Sequence, residues 1–131
     1  MDALQALLGA KPLNEITEEV PVKRLGTSFM IRALTEDDLD EVRRQATRMV
    51  RKGNKTEQEL DTNEMARLAV AKGVISPDFT NAELLAKYGA TDAGEVVKKA
   101  LLPGEVIALQ SAVLELSGFG DLDEEVAEVK N

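Results

Sequence analysis

The residues that could carry chemistry in this sequence are carboxylates, and they cluster at one place. Asp37, Asp38, Asp40 and Glu41 lie close enough together for two of them to share acid–base work or to hold a divalent cation. The stretch lacks the glycine spacing of a calcium-binding loop, and no apolar surroundings are visible that would separate the pKa values of the acids. The pattern therefore favours a solvated helix start over a catalytic or metal site.

Other catalytic machinery is missing from the sequence. The chain contains no cysteine and no histidine, which excludes disulfides, thiol nucleophiles, Cys/His zinc sites and a catalytic imidazole. Its serines have no histidine to activate them and no nucleophile-elbow motif, and its glycines form no phosphate-binding loop. We therefore expect a protein that is not an enzyme and that uses no cofactor or metal.

A basic cluster between positions 43 and 55 offers a different kind of site. On a continuous helix, Arg44, Arg48 and Arg51 would lie on one side. Three interpretations are open for this cluster: a solvated face, a contact for an acidic peptide, and a contact for nucleic acid. The net charge of −8 and the scarcity of aromatic residues, 3% of the chain, disfavour phosphate-backbone binding and base stacking, so we expect no nucleic-acid partner.

The element expected to organise the fold lies between Tyr88 and Phe119. Pro103 suits the first turn of a helix and Gly118 suits a left-handed C-terminal cap, so the sequence predicts a helix over residues 103–118. Its apolar stripe recurs at three- and four-residue spacing and contains Val106, Leu109 and Val113. Any part of this stripe that the chain leaves uncovered is a candidate partner-binding surface.

The remaining patterns predict an α+β fold, a helix-dominated small domain with one N-terminal β-hairpin and five or six helices. The hairpin is expected over residues 16–25 and 29–34, with a turn at Gly26-Thr27-Ser28, and Pro21 should lie at a sheet edge or a bulge. A mobile loop is expected over residues 53–61, and a short third strand near Val74. The other predicted helices cover residues 2–8, 36–52, 62–73, 81–87 and 93–102.

We expect one compact domain over residues 1–118, followed by an acidic amphipathic tail over residues 119–131 that is disordered when free. The tail holds five acidic residues and one basic residue, which is −4 of the total −8. Its apolar residues fall at helical spacing, which predicts that they bind a partner as one face of a helix. These residues are Phe119, Leu122, Val126 and Val129.

No charged start precedes an apolar segment, and no apolar run approaches the length of a membrane span. We therefore expect a cytoplasmic protein without a membrane partner.

The order of these landmarks resembles a known family. Four segments carry the likeness: DALQALLGA, VPVKRLGTSFMIRALTEDDLDEVR, AKGVISPDF and KYGATDAGEVVKKALLPGEVIALQSAVLELSGF. Together they resemble the tail assembly chaperones of long-tailed phages and defective prophages of Gram-positive bacteria, from Met1 to about Phe119. These motifs are helix caps and core stripes and include no catalytic signature.

The resemblance implies a protein made in the host cytoplasm that binds the tape measure protein during tail tube assembly and is absent from the finished virion. The resemblance also implies that a frameshifted longer form can exist. The tail tube protein is a second candidate partner, and self-association is a further possibility at this point. Two other functions stay open at this point. One is a structural phage component, such as a head-tail connector or tail-terminator subunit, and the other is a small nucleic-acid-binding regulator.

Overall fold

The structure is a computed structural model and describes residues 2–120. Within them the chain forms six α-helices and five β-strands. The helices are α1 (Ala3–Leu8), α2 (Glu36–Ala46), α3 (Thr62–Gly73), α4 (Ala82–Tyr88), α5 (Ala93–Ala100) and α6 (Pro103–Leu114). The strands are β1 (Thr17–Val22), β2 (Thr27–Arg32), β3 (Thr47–Lys52), β4 (Lys55–Leu60) and β5 (Val74–Ser76). The predicted mixture of helix and strand is confirmed, but the prediction of a single N-terminal hairpin is wrong, because a second hairpin lies in the middle of the chain.

The N-terminal hairpin is present and belongs to a three-stranded antiparallel sheet in the order β1-β2-β5. Its turn comes slightly earlier than predicted: Lys23–Leu25 form a 3₁₀ turn, and Gly26 follows with a φ of 68°. Pro21 lies in β1, an edge strand, as expected for a residue without an amide hydrogen. The predicted third strand is confirmed as β5.

The core forms between this sheet and the helices. α3 packs against α2, α5 and α6, and the side chains of Ile31, Val70, Val97 and Val113 are completely buried. At Gly73, a Cβ atom would lie 2.7 Å from Val113 Cγ1, so the absence of a side chain lets α3 approach α6 closely.

Most helix starts follow from local capping. The Thr35 hydroxyl accepts a hydrogen bond from Asp38 N–H, and the Asp38 carboxylate accepts one from Thr35 N–H, which completes a capping box. Asp92 caps α5. Pro103 begins α6, as predicted. A π-helical turn over Glu115–Phe119 ends α6, with Gly118 at a φ of 96°.

The predicted helix over residues 36–52 is wrong in its second half. α2 ends at Ala46, and β3 and β4 form a separate two-stranded antiparallel hairpin where a helix end and a mobile loop were expected. The strands are joined at Gly53, whose φ of 63° suits the first position of a tight two-residue turn. We call this element the central hairpin. None of its β4 residues is buried.

The short helix α1 is confirmed, with Asp2 as its N-cap. None of its residues is buried. The predicted acidic tail lies outside the described residues from position 121 onward, and the domain boundary at residue 118 stays a prediction.

Candidate functional site

The two sides of α6 have different environments. Leu109 and Val113 lie in the hydrophobic core and are 2% and 0% exposed, so they offer a partner almost no surface in this conformation. Val106 is half-buried, whereas Ile107 is 62% exposed. Val106 is therefore the only residue of the predicted 106/109/113 stripe that reaches the surface. Ile107 lies next to it and extends the exposed apolar side of the helix.

Next to this exposed side lies a groove of about 220 Å³ between α3, the end of α5 and the start of α6. We call it the α3–α6 groove. Its lining is formed by Asn63, Ala66, Arg67, Lys98, Leu101, Pro103, Val106 and Ile107. Leu102 is 55% exposed at the bend between α5 and α6, so the apolar surface of this region extends beyond the groove itself.

The charged groups of the α3–α6 groove are cationic. Arg67 donates to a Glu64 oxygen at 2.7 Å, and this pair spans one turn of α3. Lys98 is exposed and makes no ion pair with any residue in positions 2–120. The groove can therefore bury apolar side chains and place a free ammonium group beside them.

A second groove, of about 210 Å³, lies between β1 and α6, and we call it the β1–α6 groove. Its lining is formed by Val20, Pro21, Val22, Lys23, Arg24, Glu105, Ala108 and Leu109. Arg24 and Glu105 neutralise each other here, because the Arg24 guanidinium donates to both oxygens of Glu105, at 2.8 and 3.0 Å. Lys23 is exposed and makes no ion pair with any residue in positions 2–120. The hydrogen-bonded Arg24 guanidinium, together with the Leu102 N–H, holds the pKa of the Glu105 carboxyl below its ordinary value.

The three arginines predicted to lie on one helical side are not brought together. Arg44 lies on α2, whereas Arg48 and Arg51 lie on β3, where a separation of three residues places side chains on opposite faces. Arg48 contacts Asp61 at 3.8 Å and lies opposite Glu59 in the strand pair. The cluster is thus interleaved with acids and is dispersed over two elements.

Two acids of the cluster at the start of α2, Asp38 and Glu41, have structural roles. Asp38 pairs with Arg32 at 2.9 Å, and this guanidinium, with Thr35, holds the pKa of the Asp38 carboxyl at about 2. Glu41 pairs with Lys72 on α3 at 2.8 Å. Within the described residues no group of acids is arranged to hold a metal ion. These pairs tie α2 to β2 and α3.

Of the predicted tail contacts, Phe119 is part of the π-helical turn and is 42% exposed. Leu122, Val126 and Val129 lie outside the described residues. Sequence reasoning missed Leu102, Lys98 and Arg67 as surface groups of one site. Pro103 was the available signal, because a proline disfavours helix at the residue before it and so bends the chain between two helices, which exposes the residue at the corner.

Comparisons with known proteins give one family match and one structural neighbour. A family model described as phage XkdN-like tail assembly chaperone protein, TAC, matches residues 4–130. The crystal structure of the protein YqbN is similar in fold, with a TM-score of 0.64 and 23% sequence identity, over 91% of this chain and 98% of that one. A search of curated protein sequences found no match. None of the helices in residues 2–120 is long and apolar enough to cross a membrane.

Proposed function

Because the chain belongs to the XkdN-like family of phage tail assembly chaperones, we propose that it binds the tape measure protein and keeps it soluble while the tail tube is assembled. The role is non-enzymatic: the chaperone covers apolar surface on another chain. It acts in the host cytoplasm and leaves before the virion is complete.

The observation that carries this proposal is the α3–α6 groove. A tape measure chain that is helical and striped with apolar residues exposes those stripes until the tube encloses it, and exposed stripes promote aggregation. An amphipathic helix binds a groove through apolar anchors spaced three and four residues apart. The groove offers such anchors an apolar lining next to the exposed side chains of Ile107 and Leu102.

The charges of the chain support the same role in two ways. Lys98 at the groove favours a partner helix whose apolar stripe is flanked by acidic residues. The net charge of −8 over the whole chain would keep a complex with such a helix in solution after its stripe is covered.

Two further contacts with the tape measure protein remain proposals. The apolar residues of the tail, Phe119, Leu122, Val126 and Val129, could cover a second stretch of stripe. Arg44, Arg48 and Arg51 could contact an acidic stretch, but only one or two at a time, because they lie on different elements and faces. The acids interleaved with them disfavour nucleic acid as their partner.

Co-expression of the chain with its tape measure protein tests the proposal. The soluble fraction of the tape measure protein and its co-purification with this chain are measured for wild type and for Ile107→Glu. A carboxylate at this position would have to be buried among apolar groups, so we expect binding to weaken at least about 30-fold. The tape measure protein should then return to the insoluble fraction.

Ile75→Glu is the matched control, because Ile75 is also an exposed isoleucine but lies on β5, away from the groove. It should leave the tape measure protein soluble. Lys98→Glu should weaken binding by a smaller factor, about 3- to 10-fold, and make it less sensitive to salt. A tape measure protein that stays insoluble with the wild-type chain would contradict the proposed function, and one solubilised equally by wild type and Ile107→Glu would contradict the proposed site.

A further inference from the structure

We propose that the acidic tail, residues 119–131, folds back along α6 and occupies the α3–α6 groove of its own chain until a tape measure helix displaces it. The inference rests on the proposed function for the identity of the displacing helix. The contact itself forms within one chain, so it can be tested without a partner.

The tail has the chemistry that the α3–α6 groove favours in a helix. Its apolar residues recur at three- and four-residue spacing from Phe119 to Val129, as expected for one face of a helix. The other residues of the tail include five acids and one lysine. Because the groove combines an apolar lining with the exposed ammonium group of Lys98, the tail can bury its apolar face there and keep carboxylates next to a cation.

An apolar side of α6 connects the groove with the start of the tail. Ile107 and Leu114 are two helical turns apart and therefore lie on the same side of the helix, and neither belongs to the hydrophobic core. Gln110, which lies between them in the sequence, is uncharged, and Phe119 is exposed at the end of the π-helical turn. A segment that folds back from Phe119 can therefore follow apolar and uncharged groups of α6 as far as the groove.

The other exposed side of α6 suits the tail less well. Ala108, Ser111 and Glu115 lead at helical spacing from the β1–α6 groove to the end of α6, and all three are exposed. Glu115 makes no ion pair in the part of the chain that the structure describes, so an acidic tail on this side would face a like charge. Each groove has an exposed lysine, Lys98 or Lys23. The two grooves are therefore distinguished by the apolar side of α6 and by Glu115, and not by their cations.

The tail is long enough to reach the groove. Val129 lies ten residues after Phe119, and Ile107 lies twelve residues before it. At a rise of 1.5 Å per helical residue these separations are about 15 and 18 Å, so a tail helix antiparallel to α6 would bring Val129 near Ile107. The chain can reverse at Gly118 and Gly120, whose φ values of 96° and 68° end a right-handed helix.

The contact is suited to being displaced. It is intramolecular, so it forms without a second molecule in solution. A segment of thirteen residues is only a marginal helix on its own, so a longer tape measure helix would replace it in the groove. Displacement would also free the apolar face of the tail for a second stretch of the tape measure stripe.

Disulfide trapping in the full chain tests the inference, because the chain has no cysteine of its own. Val129→Cys with Ile107→Cys should close a disulfide within one chain under mild oxidation, since closure requires the two Cα atoms to come within about 7 Å. Val129→Cys with Ala108→Cys is the matched control, because Ala108 is also exposed but lines the other groove. The control should close at least about 10-fold more slowly, because docking raises the effective concentration of the two thiols only at position 107.

Further changes, added to the 107/129 pair, identify what drives closure. Val126→Glu puts a carboxylate on the apolar face of the tail and should slow closure at least about 10-fold. Ala127→Glu adds the same charge one residue away, outside that face, and should change the rate by no more than about 2-fold. Lys98→Glu should slow closure about 3-fold, because the acids of the tail would then face a like charge. Circular dichroism checks that each variant folds.

Addition of the tape measure protein connects closure with function, and its binding should slow closure of the 107/129 pair at least about 10-fold. A tape measure protein that binds and leaves the rate unchanged would overturn the competition for the groove. Equal closure rates for the 107 and 108 pairs, or disulfides formed only between chains, would overturn the inference itself. Because these rates are measured on the chain alone, they decide the inference even where the tape measure protein does not bind and the proposed function fails.

Discussion

The two sides of α6 carry the same class of residue and serve different purposes. Leu109 and Val113 are enclosed by α3 and the sheet and hold the fold together, whereas Ile107 remains in contact with solvent beside a groove. The difference does not come from hydrophobicity, which is similar at the three positions. It comes from which neighbouring elements cover each side, so burial separates structural apolar residues from those available to a partner.

Replacing one residue on each side of α6 tests this contrast. The buried side should give the largest change in the free energy of unfolding. Leu109→Ala removes packed atoms from the core and should lower the free energy of unfolding by about 3 kcal/mol. Ile107→Ala should change it by no more than about 0.5 kcal/mol, because the side chain is exposed. Urea unfolding of both variants measures the two values, and equal losses would contradict the assignment of the two sides.

Charged groups also differ in how far they are enclosed, and the depressed pKa of the Asp38 carboxyl makes this difference measurable. A carboxyl whose pKa falls from 3.8 to about 2 on folding stabilises the folded state above pH 4, and this stabilisation is lost as the pH falls from about 4 to about 2. Asp38→Asn should therefore lower the free energy of unfolding by about 2 kcal/mol at pH 7. The difference between wild type and variant should shrink as the pH approaches 2.

Asp40→Asn is the matched control in the same helix. Asp40 is exposed and contacts Arg43 at 3.4 Å, and exposed pairs of this kind contribute about 0–1 kcal/mol. Unfolding curves at pH 7 should show only a small difference for this variant. A pH-independent loss for Asp38→Asn would show that its charge is not responsible.

The smallest effect is expected in the central hairpin. Met49 would be a buried residue if the helix continued to position 52, and Met49→Ala would then cost about 2–5 kcal/mol. In the hairpin its side chain is 61% exposed, so we expect a loss of no more than about 0.5 kcal/mol. Thermal or urea unfolding distinguishes the two values directly.

Local signals explain why much of the fold could be predicted from the sequence. The capping residues Thr35 and Asp92, and Pro103 in the first turn of α6, act on their nearest neighbours and need no tertiary information. The N-terminal hairpin was visible for the same reason, through alternation on both sides of Gly26.

The central hairpin was missed because its strands lack an apolar alternation. β4 holds only one apolar residue, Leu60, and its pairing with β3 places Glu57 and Glu59 opposite Val50 and Arg48. The helical spacing of apolar residues across positions 39–50 therefore dominated the prediction. Gly53-Asn54 was the available signal, since this dipeptide is typical of a two-residue hairpin turn.

The surface of the candidate site could not be predicted, because exposure depends on packing between elements far apart in sequence. Val106, Leu109 and Val113 look equivalent in the sequence, yet only Val106 lines the groove with residues of α3 and α5. Lys98 becomes part of the site only because the bend at Leu102-Pro103 brings the end of α5 next to the start of α6.

Hydrogen–deuterium exchange of the purified complex between this chain and its tape measure protein tests the central claim most directly. The account predicts slower amide exchange, relative to the free chain, in the peptides that cover residues 62–68 and 98–110, with no change over residues 47–60. Unchanged exchange in those two peptides, with protection confined to the central hairpin or α1, would contradict it.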